Sequence, residues 1–352
     1  MKRFEYIRPA TIAEAVEAAT APGAAFLGAG TNLLDLMKGD VIRPDRLVDV
    51  THLPDLANLT VLDDGSVRIG ALMRNADLAY HPHISEHFPM LAEALLSAAS
   101  PQLRNMATTG GNLLQRTRCR YFYDVASACN KRDPGSGCDA RGGENRGHAI
   151  LGWSEHCIAT HPSDFCVSLA ALDAIVEIEG PDGAREVPLI GLHRLPDDRP
   201  DRDTVLQPGE LITAVRLPAA SARFAGYSRY LKVRERTSYA FALVSAAAAL
   251  ELDGDVISHA RIALGGVAPK PWRAEEAEES LVGETANAAA FGRAADLALA
   301  EARPSGDNGF KISLARRVLT RALARAAAGT PDKMPALPAS AFAPVSGEFD
   351  HV

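Results

Sequence analysis

Cysteine is the residue type whose spacing first suggests chemistry in this chain. All five cysteines fall within 48 consecutive residues, from Cys119 to Cys166, of a 352-residue sequence. The first residues include basic side chains but no apolar segment typical of secretory signals, so we expect neither an export signal nor a disulfide framework. Thiols gathered in one segment of a large chain are instead typical of a metal centre. The candidate ligands are Cys119, Cys129, Cys138 and Cys157.

The spacing of these four cysteines leaves two kinds of centre open. Nine, eight and eighteen residues separate successive members, whereas structural zinc sites usually contain pairs about two to four residues apart. A [4Fe–4S] cluster is therefore favoured, with zinc as the alternative. Basic residues outnumber acidic ones in this segment, which suits a negatively charged cluster. Cys166 lies in an apolar helical pattern and is predicted to be a buried core thiol, whereas His156, beside Cys157, is a candidate ligand or tuning residue.

Two glycine loops form a second candidate site. The first comprises Leu27, Gly28, Ala29, Gly30, Thr31, Asn32 and Leu33, and the second contains Leu103, Ala107, Thr108, Gly111 and Asn112. Glycine lets backbone N–H groups approach a phosphate closely. The first loop matches neither the P-loop pattern nor G-x-G-x-x-G, because no lysine follows and Leu33 occupies the third glycine position. The pair is a candidate for holding the two phosphates of a dinucleotide, and the alternative for each loop is an ordinary polar turn.

Helices and strands alternate in the N-terminal half. Thr11 and Glu14 predict a capped helix, and residues 24–30 predict a buried strand that ends in a glycine turn. Further strands are predicted at 47–50, 66–71 and 174–180, and helices at 88–99 and 164–174. Residues 115–162 show little apolar periodicity, and a bound centre would explain so long an irregular segment.

The C-terminal part has a different pattern. Asp253-Gly254 between two alternating runs predicts a β-hairpin. Residues 310–329 predict an amphipathic helix with Gly329 at its C-cap and Phe310, Leu314, Val318 and Ala322 on its apolar stripe.

Charge and hydropathy exclude two classes of protein. The formal net charge is −7, whereas nucleic-acid binding needs a basic face. No apolar run reaches the roughly 18 residues of a membrane span. We therefore expect neither nucleic-acid binding nor a membrane span.

Five ordered motifs resemble the flavin domain of the xanthine dehydrogenase and molybdenum hydroxylase family. They lie at residues 27–33, 104–112, 163–164, 230–233 and 261–273, and the resemblance extends to about residue 328. It implies an α+β fold that begins with a two-part, PCMH-like FAD-binding domain. The implied parts are the FAD-binding domain at 1–222, with lobes at 1–55 and 56–222 and the Cys-rich insertion at 115–162, a smaller α/β C-terminal domain with a hairpin sheet and helices at 223–329, and an extended tail at 330–352.

The resemblance also assigns roles to individual residues. The first loop would wrap the FAD pyrophosphate, and the named residues of the second loop would line the cofactor. From the Ser163-Asp164 motif, Asp164 would bind ribose or ribityl hydroxyls, and Ile212 and Lys232 would lie near the flavin ring. The alternatives are a first-turn helix charge for Asp164 and a surface lysine for Lys232. Tyr239 stands where many family members have an acid, which weakens NAD as the electron acceptor.

The insertion resembles that of the flavin subunit of bacterial periplasmic aldehyde oxidoreductase, in which four cysteines hold a [4Fe–4S] cluster. This implies a subunit of a heterotrimer with a large molybdopterin-binding subunit and a small [2Fe–2S] subunit. Electrons would pass through FAD to an external acceptor. The implied compartment is the periplasm, by co-export with a partner, and otherwise the cytoplasm. The alternatives are the flavin subunit of a hydroxybenzoyl-CoA reductase and a zinc-stapled scaffold that has lost flavin.

Overall fold

A three-stranded parallel sheet forms the first part of the chain in the computed structural model, which describes residues 1–331. The strands are β1 (Glu5–Ile7), β2 (Ala24–Leu27) and β3 (Arg46–Asp49), in the order β1-β3-β2. The helices are α1 (Ile12–Ala19), which Thr11 caps as predicted, and α2 (Leu33–Lys38). The expectation of a buried strand at 24–30 was wrong in one respect. Strand β2 is only half-buried because it lies at the edge of the sheet, and the central β3 is the buried strand.

An antiparallel five-stranded sheet follows, in the order β4-β5-β8-β6-β7. Its strands are β4 (Leu59–Val61), β5 (Val67–Gly70), β6 (Ile175–Gly180), β7 (Gly183–Pro188) and β8 (Leu211–Leu217). The helices of this part are α3 (Asn75–Ala79), α4 (Pro82–His87), α5 (Pro89–Ser97), α6 (Pro101–Arg104), α7 (Thr109–Leu113), α8 (Arg120–Tyr123), α9 (Asp164–Ala171) and α10 (Leu189–Leu192). Segment 115–162 contains only α8 and is otherwise made of turns, as its lack of periodicity predicted.

The C-terminal part is an antiparallel sheet in the order β12-β11-β10-β9. A 3₁₀ helix (Ala219–Tyr227) leads into β9 (Ser228–Val233), β10 (Val244–Asp253), β11 (Val256–Gly265) and β12 (Trp272–Arg273). The helices α11 (Glu275–Glu279), α12 (Ala288–Ala298) and α13 (Phe310–Ala327) follow. The predicted hairpin is confirmed, since Asp253 pairs with Val256 across the turn.

Two apolar cores share the C-terminal sheet. On β10, Ala247 and Ala249 pack with α5 and α9, whereas Ala246 and Ala248 pack with α12 and α13. This alternation is the two-residue period of a strand that is buried on both faces. Helices α5 and α9 therefore lie between the C-terminal sheet and the five-stranded sheet.

The buried face of helix α13 is shifted by one residue from the predicted one. Phe310 is 38 % exposed, whereas Lys311 is fully buried. Val318 and Ala322 are buried as predicted, and Leu314 is partly buried. The lysine is turned inward because its ammonium finds hydrogen-bond acceptors there, which a periodicity argument does not detect.

The tail predicted at 330–352 lies almost wholly outside the described residues. No helix within residues 1–331 has both the length and the apolar character needed to cross a membrane.

Candidate cofactor site and cysteine cluster

The two glycine loops face each other. A Cβ atom on Gly28 would lie 3.2 Å from Thr108 Oγ1, so the backbone of the first loop lies close to a side chain of the second. Gly30 has a φ of +74°, and a Cβ there would lie 2.6 Å from Leu34 Cδ1. Both positions therefore favour glycine, one through close approach and the other through its backbone conformation as well.

The second loop is held by its own hydroxyl groups. Thr108 Oγ1 accepts from Gly111 N at 3.3 Å and caps α7, and Thr109 Oγ1 donates to Met73 O at 3.0 Å. Gly110 packs against Ala71, whereas Gly111 is exposed. Gly111, rather than Gly110, is thus available to a ligand.

A hydrogen bond joins the second loop to the start of α9. Ser163 Oγ lies 2.7 Å from Asn112 Oδ1 and also caps α9 by accepting from Cys166 N. Gln115 Nε2 donates to the same Asn112 oxygen at 2.6 Å. Residues separated by 51 positions in the sequence are therefore fixed in one unit.

Asp164 is held by two side chains of the C-terminal sheet. Its carboxylate accepts from Lys232 Nζ at 2.7 Å and from Tyr230 OH at 2.6 Å. Burial, together with the neighbouring carboxylate, raises the pKa of the Tyr230 phenol well above its usual value. Tyr230 and Lys232 are two residues apart on β9, so both point to the face that covers α9.

Lys232 is buried, so the surface-lysine alternative is wrong. Asp164 also lies in the first turn of α9, as the simpler alternative stated. Its carboxylate oxygens have further lone pairs besides those used by Tyr230 and Lys232.

The remaining predicted contacts occupy different surroundings. Leu103, on α6, and Ala107, just before the N-cap of α7, are half-buried. Ile212 is 3 % exposed on β8, in the core of the second part, and belongs to a different sheet from Lys232. The flavin-ring contacts of Ile212 and Lys232 stay predictions.

The structure brings the four candidate cysteine ligands together. Their side chains line one cavity of about 290 Å³, beside Phe122, Lys131 and His156. Among residues 1–331, no three of the four sulfur atoms lie within 4.8 Å of one another. The four cysteines therefore surround a common space.

Backbone N–H groups are directed at these sulfurs. Tyr121 and Phe122 donate toward Cys119, Ala140 and Arg141 toward Cys138, and Ala159 toward Cys157. With the cysteines as free thiols, burial raises the pKa of Cys119 to about 12. Such donors favour thiolates and the negative charge of a bound centre.

Cys166 is separate from this group, as predicted. It is fully buried on α9, where burial raises its pKa to about 12. Its sulfur lies within 4.8 Å of ring nitrogens of His161 and His193.

Sequence reasoning missed the importance of a buried histidine pair. His161 Nε2 lies 3.2 Å from His193 Nε2, which also lies 2.8 Å from Leu113 O. His161 Nδ1 accepts from Ser163 N at 3.3 Å. Burial lowers the pKa of both imidazoles, so they are neutral at pH 7. The pair connects the end of the second loop to the Ser163-Asp164 motif, and the sequence contains no signal for this contact between distant residues.

Two family descriptions match the chain consecutively. "FAD binding domain in molybdopterin dehydrogenase" covers residues 2–220, which is more than half of the sequence. "CO dehydrogenase flavoprotein C-terminal domain" covers residues 229–326.

The chain belongs to the FAD-binding subunits of the molybdopterin dehydrogenase family. The aldehyde oxidoreductase FAD-binding subunit PaoB of Escherichia coli is 50 % identical over 93 % of this chain and 99 % of its own length. The carbon monoxide dehydrogenase medium chain of Hydrogenophaga pseudoflava is 30 % identical over 91 % of this chain and 96 % of its own.

Solved structures of this family have the same fold. Carbon monoxide dehydrogenase from Hydrogenophaga pseudoflava superposes with a TM-score of 0.73 at 29 % identity, over 93 % of this chain and 98 % of that one. Quinoline 2-oxidoreductase from Pseudomonas putida 86 gives a TM-score of 0.71 at 25 % identity, over 93 % and 99 %. The expectation of a mixed α and β FAD-binding domain followed by a smaller flavoprotein domain is confirmed, as is that of an FAD-binding oxidoreductase subunit.

Proposed function

We propose that this chain is the FAD-binding subunit of a heterotrimeric, molybdenum-containing aldehyde oxidoreductase, and that it also binds a [4Fe–4S] cluster. The observation that carries the first part is 50 % identity to an aldehyde oxidoreductase FAD-binding subunit along almost the whole of both chains. The proposed partners are a large molybdopterin-binding subunit and a small [2Fe–2S] subunit, with an external electron acceptor.

The residues of this chain fit an FAD molecule. Opposed loops at Gly28 and Thr108 offer backbone N–H groups and hydroxyls to a diphosphate, which requires many donors. Asp164 offers acceptors to sugar hydroxyls, and its contact with Lys232 fixes its orientation. Bound FAD supplies electron acceptance and release, and the protein supplies binding, orientation and electrostatics.

The reducing substrate is tested on the purified complex. An aromatic aldehyde added without oxygen is expected to bleach the flavin absorbance. A flavin that aldehydes do not bleach, and that 4-hydroxybenzoyl-CoA reoxidises after chemical reduction, would contradict the aldehyde assignment and support the reductase. A complex that purifies without flavin would contradict FAD binding.

The cysteine geometry supports the cluster rather than a single zinc ion. With Zn–S bonds of about 2.3 Å, tetrahedral zinc places its sulfurs about 3.8 Å apart. Any three of the four sulfurs in residues 1–331 include at least one pair more than 4.8 Å apart, which is wider than a tetrahedral zinc site. A centre of four iron atoms spans a wider space, and the inward N–H groups suit its charge.

Metal analysis with a matched pair of variants tests the cluster. The wild-type complex is expected to contain iron and acid-labile sulfide, and Cys157→Ser is expected to lose most of both. Cys166→Ser changes a cysteine outside the group and is expected to retain them. Zinc in place of iron, or equal iron loss in the two variants, would contradict the proposal.

We also propose the periplasm as the working compartment, with export on a partner subunit. The support is the resemblance of the insertion to that of periplasmic relatives. Cell fractionation tests this, and a complex confined to the cytoplasm would contradict it.

A further inference from the structure

Lys311 is a buried cation with no acidic partner among the described residues. It is fully buried at the start of α13, and its Nζ donates to Gly147 O at 3.0 Å, His148 O at 2.8 Å and Gly266 O at 2.6 Å. All three ammonium protons are thereby directed at backbone carbonyls. Burial lowers the pKa of this ammonium to about 7, and a negatively charged centre nearby would raise it again.

His148 connects this lysine to the cysteine group. Its carbonyl accepts from Lys311, and its ring Nε2 lies 3.2 Å from Cys119 Sγ. A metal-bound thiolate only accepts hydrogen bonds, so the Nε2–H tautomer would donate to Cys119 once a centre is present. The ring Nδ1 is buried without a partner in the part of the chain described, which fits a ring whose single proton is used at Nε2.

Residues of the C-terminal domain hold the backbone around His148 by hydrogen bonds. Asn308 Nδ2 donates to His148 O and Ala149 O, both at 3.0 Å. Asp307 N donates to Asn145 Oδ1 at 2.6 Å. The imidazole is therefore positioned by residues 307–311, which lie outside the insertion that contains the cysteines.

A second buried lysine lies near the cysteines, but unlike Lys311 it has an acidic partner. Lys131 lines the cysteine cavity but pairs with Asp203, which Arg116 also contacts. The positive charge of Lys131 is therefore compensated locally, whereas Lys311 meets only carbonyl dipoles. In a medium of low dielectric, an uncompensated positive charge stabilises the more negative, reduced state of a neighbouring centre.

We propose that Lys311 and His148 are positioning and tuning residues that raise the reduction potential of the cysteine-bound cluster. Lys311 contributes charge and holds the His148 backbone, and His148 contributes an N–H to the sulfur of Cys119. The C-terminal domain would thus adjust a centre bound by the FAD domain. This inference rests on the proposed [4Fe–4S] cluster.

The test is a redox titration of the cluster in the intact complex, followed by electron paramagnetic resonance. Lys311→Met is expected to shift the midpoint potential to a lower value, and Lys311→Arg, which keeps the charge, is expected to restore most of it. Ser313→Ala removes an exposed hydroxyl of the same helix, which donates to Phe310 O, and is expected to leave the potential unchanged. An unchanged potential in a fully loaded Lys311→Met complex would overturn the inference.

If Lys311→Met loses iron, a second variant tests the same inference. His148→Gln keeps the Lys311 charge but alters the donor at Cys119, so its potential is also expected to fall. An unchanged potential there, or an equal shift in Ser313→Ala, overturns the tuning role while the cluster proposal stands. A wild-type complex without iron and sulfide overturns the cluster proposal, and this inference with it.

Discussion

At the scale of single residues, the close approach of Gly28 to Thr108 is the point where the two loops of the proposed FAD site meet. The sequence placed glycines in both loops, but only the structure shows that one glycine faces the hydroxyl of the other loop. The proposed FAD site depends on the absence of a side chain at Gly28.

Replacing Gly28 should therefore weaken FAD binding. The added side chain of Gly28→Val would collide with Thr108, because even a Cβ would lie 3.2 Å from its hydroxyl. We expect FAD affinity to fall at least about tenfold, equivalent to about 1.4 kcal/mol, as measured by flavin fluorescence on dilution. Gly226→Val, at a position where a Cβ would meet nothing within 4 Å, is the control. Equal flavin retention in both variants would show that the loop contact does not matter.

The Asp164–Lys232 pair permits a test by double substitution. Both side chains are 4 % exposed, and removing one partner of a buried ion pair typically costs about 3–5 kcal/mol because the other charge is stranded. We expect Asp164→Ala and Lys232→Met each to lower the free energy of unfolding by roughly that amount, and the double variant to lose less than the sum. Denaturant titration of the apoprotein measures this, and strictly additive losses would contradict the coupling.

At the scale of elements, the cysteine-rich insertion is attached to the rest of the FAD domain by an ion-pair network. Lys131 and Arg116 both contact Asp203, which lies in the segment between β7 and β8. Burial alone would raise the pKa of Asp203, but the two cations outweigh it and lower the pKa below the usual value.

This network should make the protein sensitive to acid. A carboxyl group with a lowered folded-state pKa stabilises the fold fully above its unfolded value, near 3.8, and the contribution is lost as pH falls through the folded-state value. We expect Asp203→Asn to be less stable than wild type at pH 7 and the difference to shrink in strong acid. Thermal unfolding at stepped pH measures it, and a difference that does not change with pH would refute the assignment.

Helices, caps and turns were predicted correctly where the sequence pattern that indicates them is local. The Asp253-Gly254 hairpin, the Thr11 cap and the helix at 88–99 all follow from neighbouring residues. The orientation of α13 was predicted less well, because the burial of Lys311 depends on carbonyls of distant residues 147, 148 and 266.

At the scale of the whole molecule, the C-terminal sheet contributes residues to the proposed FAD site from outside the FAD-binding domain. Tyr230 and Lys232 reach Asp164 because β9 and β10 lie directly on α5 and α9. Gly265 allows this approach, since a Cβ there would lie 2.6 Å from Val167 Cγ2.

A substitution at Gly265 should therefore weaken FAD binding, although Gly265 is not one of the predicted cofactor contacts. Gly265→Val would push the C-terminal sheet away from α9 and disturb the Lys232–Asp164 contact. We expect a lower melting temperature together with partial loss of FAD, measured by calorimetry and flavin content. Gly142→Val, at an open position, is the control. Normal flavin content in a destabilised Gly265→Val protein would show that domain contact and cofactor binding are independent.

The sequence by itself determined the order of the elements, the two glycine loops and the set of four cysteines, because each can be recognised from residue types and short spacings. The tertiary structure decided which distant groups meet: Asp164 with Lys232, His161 with His193, and Lys311 with the backbone beside His148. Such contacts depend on how whole sheets and helices pack. The residues around a polar side chain in the sequence do not indicate which distant group it will contact once both are buried.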